Sequence, residues 1–374
     1  MTSGKVKILL VLPTHKFDIF IQGLVCNSSE EFEFFAILFD APSNKEQNFK
    51  TSNYHEAFSL GELTPHTLMK NIALCRRIIR KVKPDVVHVT TYLSGIAIML
   101  CLFSMKQKPK FLWNRHYNKG HHNLPSKVHV LLDRLLTLSS DISVVISHAQ
   151  METLVYAEKS DSSKIHIVNN GIDLNLLKFS TEGRNYYRSL FRSNENDLVL
   201  IAAGRLHPEK DYLTLFKALV LFQQTGCNFH LYIAGTGDSE YRNVLEMEVL
   251  KLGLAQSITF LGWVEDIHSA MLESDLFVQA SLDEAFGLSI LEAAALGISV
   301  ATTTPGGGVE ITSGFHPYIA PGDAVGLAQL IGQKRFETPQ TRALISANVI
   351  QKFSVIEMAK KYNRLYLALK SGKR

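Results

Sequence analysis

SLDEAFGLSILEAAAL, residues Ser281 to Leu296, runs on into Gly297 and the apolar stretch Ile298-Ser299-Val300-Ala301. Just upstream lies Leu276-Phe277-Val278-Gln279-Ala280, a run of strand length and strand character. Together they read as strand, turn, helix and next strand. Glu284 falls in the turn, and Glu292 falls inside a helix opened by Phe286-Gly287-Leu288-Ser289, with seven residues between the two glutamates. A strand that hands over to a helix through glycine leaves backbone N–H groups facing whatever binds there. An anion at that helix start would have one carboxylate on its outer side and the other about a turn inside.

The same rhythm extends in both directions. Strands are expected at Leu198–Ala203, Phe229–Ala234 and Ile258–Leu261, separated by helices Asp211–Gln224, Glu240–Leu252 and Asp266–Glu273. In the first half, strands are expected at Lys7–Leu12, Phe32–Leu38, Val86–Val89, Lys110–Trp113, Ile142–Ile146 and Ile165–Val168. Thr64 to Lys83 repeats apolar residues at helical spacing and stops at Pro84, and Ser126 to Leu138 is a second clear helix. Strands apolar on both faces, alternating with helices, predict an α/β chain with parallel sheets covered on two sides. A polar interval, Asn169 to Asn196, divides the two series and carries Asn170-Gly171-Ile172-Asp173. The expected division is 1–175 and 176–353, with a final helix from about residue 354 to 374.

Length supports the division, since 374 residues exceed one ordinary core. An apolar content of 46% and a charged content of 20% describe a foldable chain. The net charge of +4 suits a small anionic partner and is too weak for a dedicated nucleic-acid binder. Cys26, Cys75, Cys101 and Cys227 are scattered without CxxC spacing and mostly among apolar neighbours, which reads as buried, reduced thiols in a cytosolic protein. The N-terminal apolar run stops at Pro13, too short for a secretory leader, and no segment is expected to span a membrane.

Ala203-Gly204-Arg205-Leu206-His207-Pro208-Glu209-Lys210-Asp211 follows the first strand of the second half. Arg205 sits at the strand end and Lys210 just before the next helix, so one loop could aim both cations at one point. Two such cations would hold a diphosphate, each charge-assisted contact contributing roughly 1.5–3 kcal/mol. Phosphates on cations and N–H groups, with sugar hydroxyls on Glu284 and Glu292, suit a sugar joined to a diphosphate.

With Phe286-Gly287 between the glutamates, Gly204-Arg205 and Lys210 upstream and Gly306-Gly307 with Glu310 downstream, the chain resembles the retaining nucleotide-sugar glycosyltransferases of family four. The resemblance covers nearly all of the C-terminal half. In the N-terminal half it rests on the strand–helix rhythm and on Asn170-Gly171-Ile172-Asp173. It implies a GT-B fold, two doubly wound Rossmann-like domains facing each other across a cleft, with the last helix crossing back onto the first domain. It further implies that Arg205 and Lys210 hold the donor diphosphate and that Glu284 bonds donor-sugar hydroxyls. Glu292 would take the ribose, and the backbone at Phe286, Gly287 and Leu288 would approach sugar and phosphate. Gly204, Gly235 and Gly237 would lie in donor-side loops, with Trp263 and Val264 near the nucleobase. No DxD occurs in the chain, so metal-independent transfer without a cofactor is expected.

The N-terminal half is expected to take the acceptor, a saccharide or lipid-linked saccharide. Trp113-Asn114-Arg115-His116-Tyr117-Asn118-Lys119-Gly120-His121-His122 ends a strand, and the resemblance makes His116 a donor-sugar contact. Arg115, His148 and His15 are further acceptor-side candidates, His15 lying in Pro13-Thr14-His15-Lys16-Phe17, where many relatives carry a glycine-rich loop. Three histidines near one another also admit a metal reading, but nothing in the spacing fixes a coordination geometry. Lys70, Arg76, Arg77, Arg80, Lys81 and Lys83 surround the apolar stripe of the helix at 64–83. That pattern suits either a docked helix with a solvated cationic face or a surface lying on an anionic membrane, at its inner leaflet.

Three other functions could use such a chain. A nicotinamide-dependent dehydrogenase needs GxGxxG, and Gly235-Thr236-Gly237-Asp238-Ser239-Glu240 has glutamate at the third glycine. A non-catalytic sugar-nucleotide-binding protein, or a nucleotide-sugar epimerase of the same fold, keeps the binding residues without transfer. The residues do not specify nucleobase, sugar or acceptor.

Overall fold

The computed structural model describes residues 4–12, 19–39, 53–64, 66–117, 126–177, 179–191 and 197–372. The chain forms two compact units, one of Met1–Gly171 with Phe353–Arg374 and the other of Ile172–Lys352. Each is built on a wholly parallel sheet.

In the first unit the strands are β1 (Val6–Leu12), β2 (Phe32–Leu38), β3 (Tyr54–Ser59), β4 (Val86–Val89), β5 (Lys110–Arg115), β6 (Ile142–Val145) and β7 (Ile165–Ile167). Their order is β3-β2-β1-β4-β5-β6-β7. Leu10 is in register with Ala36 on one side and His88 on the other. Nearly every residue of β1, β4 and β6 is buried, because crossover helices cover both sheet faces. β3 was not expected from the sequence. It is an edge strand whose six residues are all at least partly exposed, so Tyr54-His55-Glu56-Ala57-Phe58-Ser59 lacks the apolar signature of its neighbours. Helix Tyr92–Phe103 is apolar along most of its length, and its Gly95 lies against Trp113 and Leu136.

The helix Val355–Ser371 completes this unit. Tyr362 and Tyr366 are fully buried in it, with the Tyr366 hydroxyl 2.7 Å from His88 Nδ1 and the Tyr362 hydroxyl 2.7 Å from Asn114 Nδ2. Gly171 explains itself here: a Cβ on it would lie 2.4 Å from the Val355 backbone. The two places where the chain passes between units therefore lie side by side.

The second unit holds β8 (Leu198–Ala203), β9 (Phe229–Ala234), β10 (Ile258–Gly262), β11 (Leu276–Gln279) and β12 (Ser299–Thr302), in the order β10-β9-β8-β11-β12. The polar interval before it contains a helix, Thr181–Phe191, that packs on helix Ile267–Leu272. Arg184 and Arg188 of the first helix hold Glu273 at 2.7 and 2.9 Å. In each sheet the strand order reverses direction beside the first strand, between β1 and β4 and between β8 and β11. Crevices at the carboxyl ends of such strand pairs are where open α/β sheets bind ligands.

Candidate active site

The loops after β8 and β11 meet at the second unit's switch point. After β8 the chain stays extended, with the Gly204 N–H donating to Ala234 O at 3.0 Å and the Leu206 N–H to Thr236 O at 2.9 Å. This close approach accounts for two of the expected glycines. A Cβ on Gly235 would lie 1.8 Å from Gly204 O, and one on Gly237 would lie 2.1 Å from Leu206 O. Leu206 points into the core while Arg205, on the other side of the extended segment, is exposed. A short 3₁₀ turn, Pro208–Lys210, then leads to Asp211, whose left-handed backbone and side chain cap helix Tyr212–Gln223. The Leu282 N–H donates to Glu209 O at 2.8 Å and ties this loop to the one after β11.

Lys210 Nζ pairs with Glu284 Oε1. The same oxygen accepts from Gln279 Nε2 at 2.6 Å and from Ser281 Oγ at 3.0 Å. Glu284 is therefore a largely buried carboxylate held by Lys210 and by the neutral donors Gln279 and Ser281, which is how a buried charge is made tolerable. Gly287, at φ +97°, starts helix Leu288–Ala295 directly after it. Gly307 N–H donates to Glu284 O at 2.9 Å, and a Cβ on Gly307 would meet Ala285 O at 2.4 Å, so the following loop packs onto this turn.

Glu292 lies on the outward stripe of that helix with Leu288, and its Oε2 is 3.7 Å from Nε2 of the buried His268. Phe286 is buried, so only its backbone is presented. Trp263, directly after β10, is 77% exposed beside Val264. Thus Lys210 and Glu284 are in contact, Arg205 is on the same loop as Lys210 but exposed, and Glu292 has a partner of its own. Sequence reading passed over Gln279, Ser281, Ser289 and His268. Gln279 carried a signal, a polar residue ending an otherwise apolar strand.

At the carboxyl edge of the first sheet, His116 follows β5. Its Nε2 accepts from Asn114 Nδ2 at 2.9 Å, and Phe20 meets its ring edge-on with centroids 4.9 Å apart. His148 is exposed and opens the short helix His148–Glu152 after β6. His15, Lys16, His121 and His122 lie outside the described residues.

Arg115 requires correction as an acceptor-binding residue. It is 2% exposed, with Nη1 2.7 Å from Glu158 Oε1 and 3.6 Å from Asp133 Oδ2, and Nε donating to Tyr117 O at 2.9 Å. Burial acts against its charge, but Asp133 and Glu158 outweigh that and raise its pKa. Burial raises the Glu158 pKa, with Arg115 opposing. A guanidinium held in this way cannot reach a ligand; it organises the loop that carries Tyr117.

Residues 34–176 match the family model described as Glycosyltransferase Family 4, and residues 185–331 match that of Glycosyl transferases group 1. The chain belongs to the family-four glycosyltransferases. The chain is 25% identical over 244 residues to the putative glycosyltransferase EpsF of Bacillus subtilis, covering 64% of the chain and 62% of EpsF. It is 23% identical over 234 residues to the Escherichia coli UDP-Gal:alpha-D-GlcNAc-diphosphoundecaprenol alpha-1,3-galactosyltransferase, covering 62% of the chain and 60% of that enzyme. These matches span less than two thirds of either relative's length. Anabaena Alr3699/HepE, solved in complex with UDP, superposes with a TM-score of 0.78 at 19% identity, covering 97% of this chain and all of that one. The fold is GT-B. Among the described residues, no helix is long and apolar enough to cross a membrane.

Proposed function

We propose that this glycosyltransferase moves a hexosyl group from a nucleotide diphosphate sugar to a saccharide or lipid-linked saccharide, with retention at the anomeric carbon and without a metal ion. The observation that carries the reading is the Lys210–Glu284 pair beside the start of helix Leu288–Ala295 at the β8/β11 switch point. An ammonium has three N–H donors, so Lys210 can serve Glu284 and a phosphate oxygen together. Arg205, with its side chain in solvent, supplies the second cation. In the transfer, the acceptor hydroxyl attacks C1 on the face the phosphate leaves. The C1–O bond to phosphate breaks with its electron pair going to the diphosphate, the new C1–O bond forms, and the acceptor proton passes to a leaving phosphate oxygen. Negative charge grows on the diphosphate, and Lys210, Arg205 and the helix N–H groups stabilise it where it grows.

The first unit supplies the acceptor site in this reading, with His116 touching the sugar in transit and His148 on the acceptor side. Asn114 Nδ2, 2.9 Å from His116 Nε2, holds the ring in place at the end of β5. Uracil is the base to try first, because HepE was solved with UDP and with UDP-glucose. The name of the E. coli relative supports a diphosphoundecaprenol-linked acceptor as the first lipid-linked class. A cytoplasmic protein resting on an anionic membrane surface through the basic face of helix Leu68–Val82 is consistent with such an acceptor. Lys81 of that face is paired with Glu56.

Thermal stabilisation by UDP, GDP and ADP tests the donor site, and product anomer analysis with and without EDTA tests the rest. We expect one nucleotide to raise the melting temperature and transfer to survive EDTA with retention. No shift with any of the three would refute the donor reading, and inversion or EDTA sensitivity would refute the mechanism. A binding protein without activity predicts the nucleotide shift and no transfer.

A further inference from the structure

We infer that Gln279 is a positioning residue for Glu284, held in its working orientation by Ser289; the inference rests on the reading that Glu284 contacts the donor sugar. Gln279 closes β11 and is only 5% exposed, yet every polar atom of its amide has a partner. Nε2 donates one hydrogen to Glu284 Oε1 at 2.6 Å and the other to Ser281 Oγ at 2.9 Å, while Oε1 accepts from Ser289 Oγ at 3.0 Å. Glu284 as a carboxylate only accepts, so the amide nitrogen must face it, and the amide oxygen then needs a donor elsewhere. Ser289, in the first turn of helix Leu288–Ala295, is that donor. Ser281, having accepted from Gln279, turns its own hydrogen to Glu284 Oε1 at 3.0 Å.

One side chain thus ties strand end, turn and helix start together and stops the carboxylate from rotating. The arrangement matters most when Lys210 is drawn toward a diphosphate. Gln279 and Ser281 remain on Oε1, so Glu284 keeps its place as the donor binds and its leaving group departs. Glutamine is required over its isostere: a glutamate at 279 would set two carboxylates at hydrogen-bond distance, where they cannot both ionise freely.

The test compares the parent with Gln279→Leu, Gln279→Glu, Ser289→Ala and Glu284→Ala. Release of the corresponding nucleoside diphosphate from UDP-glucose, UDP-galactose, GDP-mannose and ADP-glucose is measured across pH, alongside UDP affinity and melting temperature. Gln279→Leu should lower kcat about 10-fold or more with UDP affinity unchanged within about twofold, as expected for lost orientation and not lost phosphate contact. Gln279→Glu should move the acid limb of the rate profile upward by about one pH unit or more. Ser289→Ala should give a smaller loss in the same direction, and it serves if Gln279→Leu does not fold. Parent-like kcat and pH profile in the Gln279 and Ser289 variants, with Glu284→Ala inactive, overturns the positioning role and leaves the donor reading standing. Parent-like activity in Glu284→Ala, or no turnover by the parent with any of the four sugars, overturns the donor reading and the inference with it.

Discussion

Lys210 and Glu284 are ion-paired across the β8/β11 switch point, although they come from different loops. The pair is largely shielded from solvent, and the backbone bond from Leu282 N–H to Glu209 O fixes the distance between its two loops. A cation and a carboxylate so placed can receive the two halves of a sugar phosphate.

The cation is expected to read phosphate and not the nucleoside. Lys210→Ala should weaken UDP binding by about 10- to 150-fold, the equivalent of roughly 1.5–3 kcal/mol for one charge-assisted contact. Arg205→Ala should act in the same direction. Calorimetric titration with UDP and with uridine separates the effects, because uridine binding should hardly change. Equal losses for both ligands would remove Lys210 from the phosphate site.

Trp263 offers a spectroscopic check. The chain has two tryptophans, and Trp113 is fully buried while Trp263 stands 77% exposed after β10. If a nucleobase packs beside residues 263 and 264, UDP should change the emission of Trp263. Trp263→Phe should abolish that change and weaken UDP binding severalfold, within the roughly 0.5–1.5 kcal/mol that ring stacking contributes. An unchanged signal on saturation with UDP places the base elsewhere.

Arg115 should act on stability. Removing it leaves Asp133 and Glu158 buried together without their cation. Arg115→Ala is expected to cost about 3–5 kcal/mol in denaturant unfolding, the usual penalty for breaking one side of a buried ion pair. The acceptor KM of the protein that remains folded should stay near the parent value. A normal unfolding midpoint with a raised acceptor KM would restore Arg115 to the binding surface.

His88 should make the first unit sensitive to acid. Burial, and then the neighbouring His116, push its pKa down to about 3. Between that value and an unfolded value of about 6.5 the unfolded chain binds the extra proton, so stability falls as pH falls through this window. From pH 7 to pH 5 the loss attributable to His88 should be about 2 kcal/mol. His88→Phe retains a ring beside Tyr362 and should flatten this part of the dependence. Denaturant unfolding at the two pH values measures the difference, and an identical pH dependence in the variant contradicts the assignment.

Most of the strand ladder was readable because each buried parallel strand carries its own apolar run. The loops after β8 and β11 were readable for a related reason: Gly204, Gly287 and the charged residues beside them mark where a strand ends at a sheet edge. The misses were of a different kind. Edge strand β3 buries too little to show an apolar pattern, and the helix Thr181–Phe191 is polar along most of its surface because it meets Glu273 through arginines. Arg115 looks like any cation at a strand end until Asp133 and Glu158 are seen around it. The Asn114–Tyr362 and His88–Tyr366 contacts join strands to a helix at the opposite end of the chain.

The sequence by itself determined the α/β class, two parallel sheets, the loops that hold Arg205, Lys210 and Glu284 and the helix that holds Glu292, since burial period and turn chemistry are local properties. Only the tertiary structure decided which charges meet: Lys210 with Glu284, Arg115 with Asp133 and Glu158, and Gln279 as the neutral donor beside them. A side chain's hydrogen-bond partner and its exposure depend on what the remote chain brings alongside, and no spacing of residues along one strand encodes that.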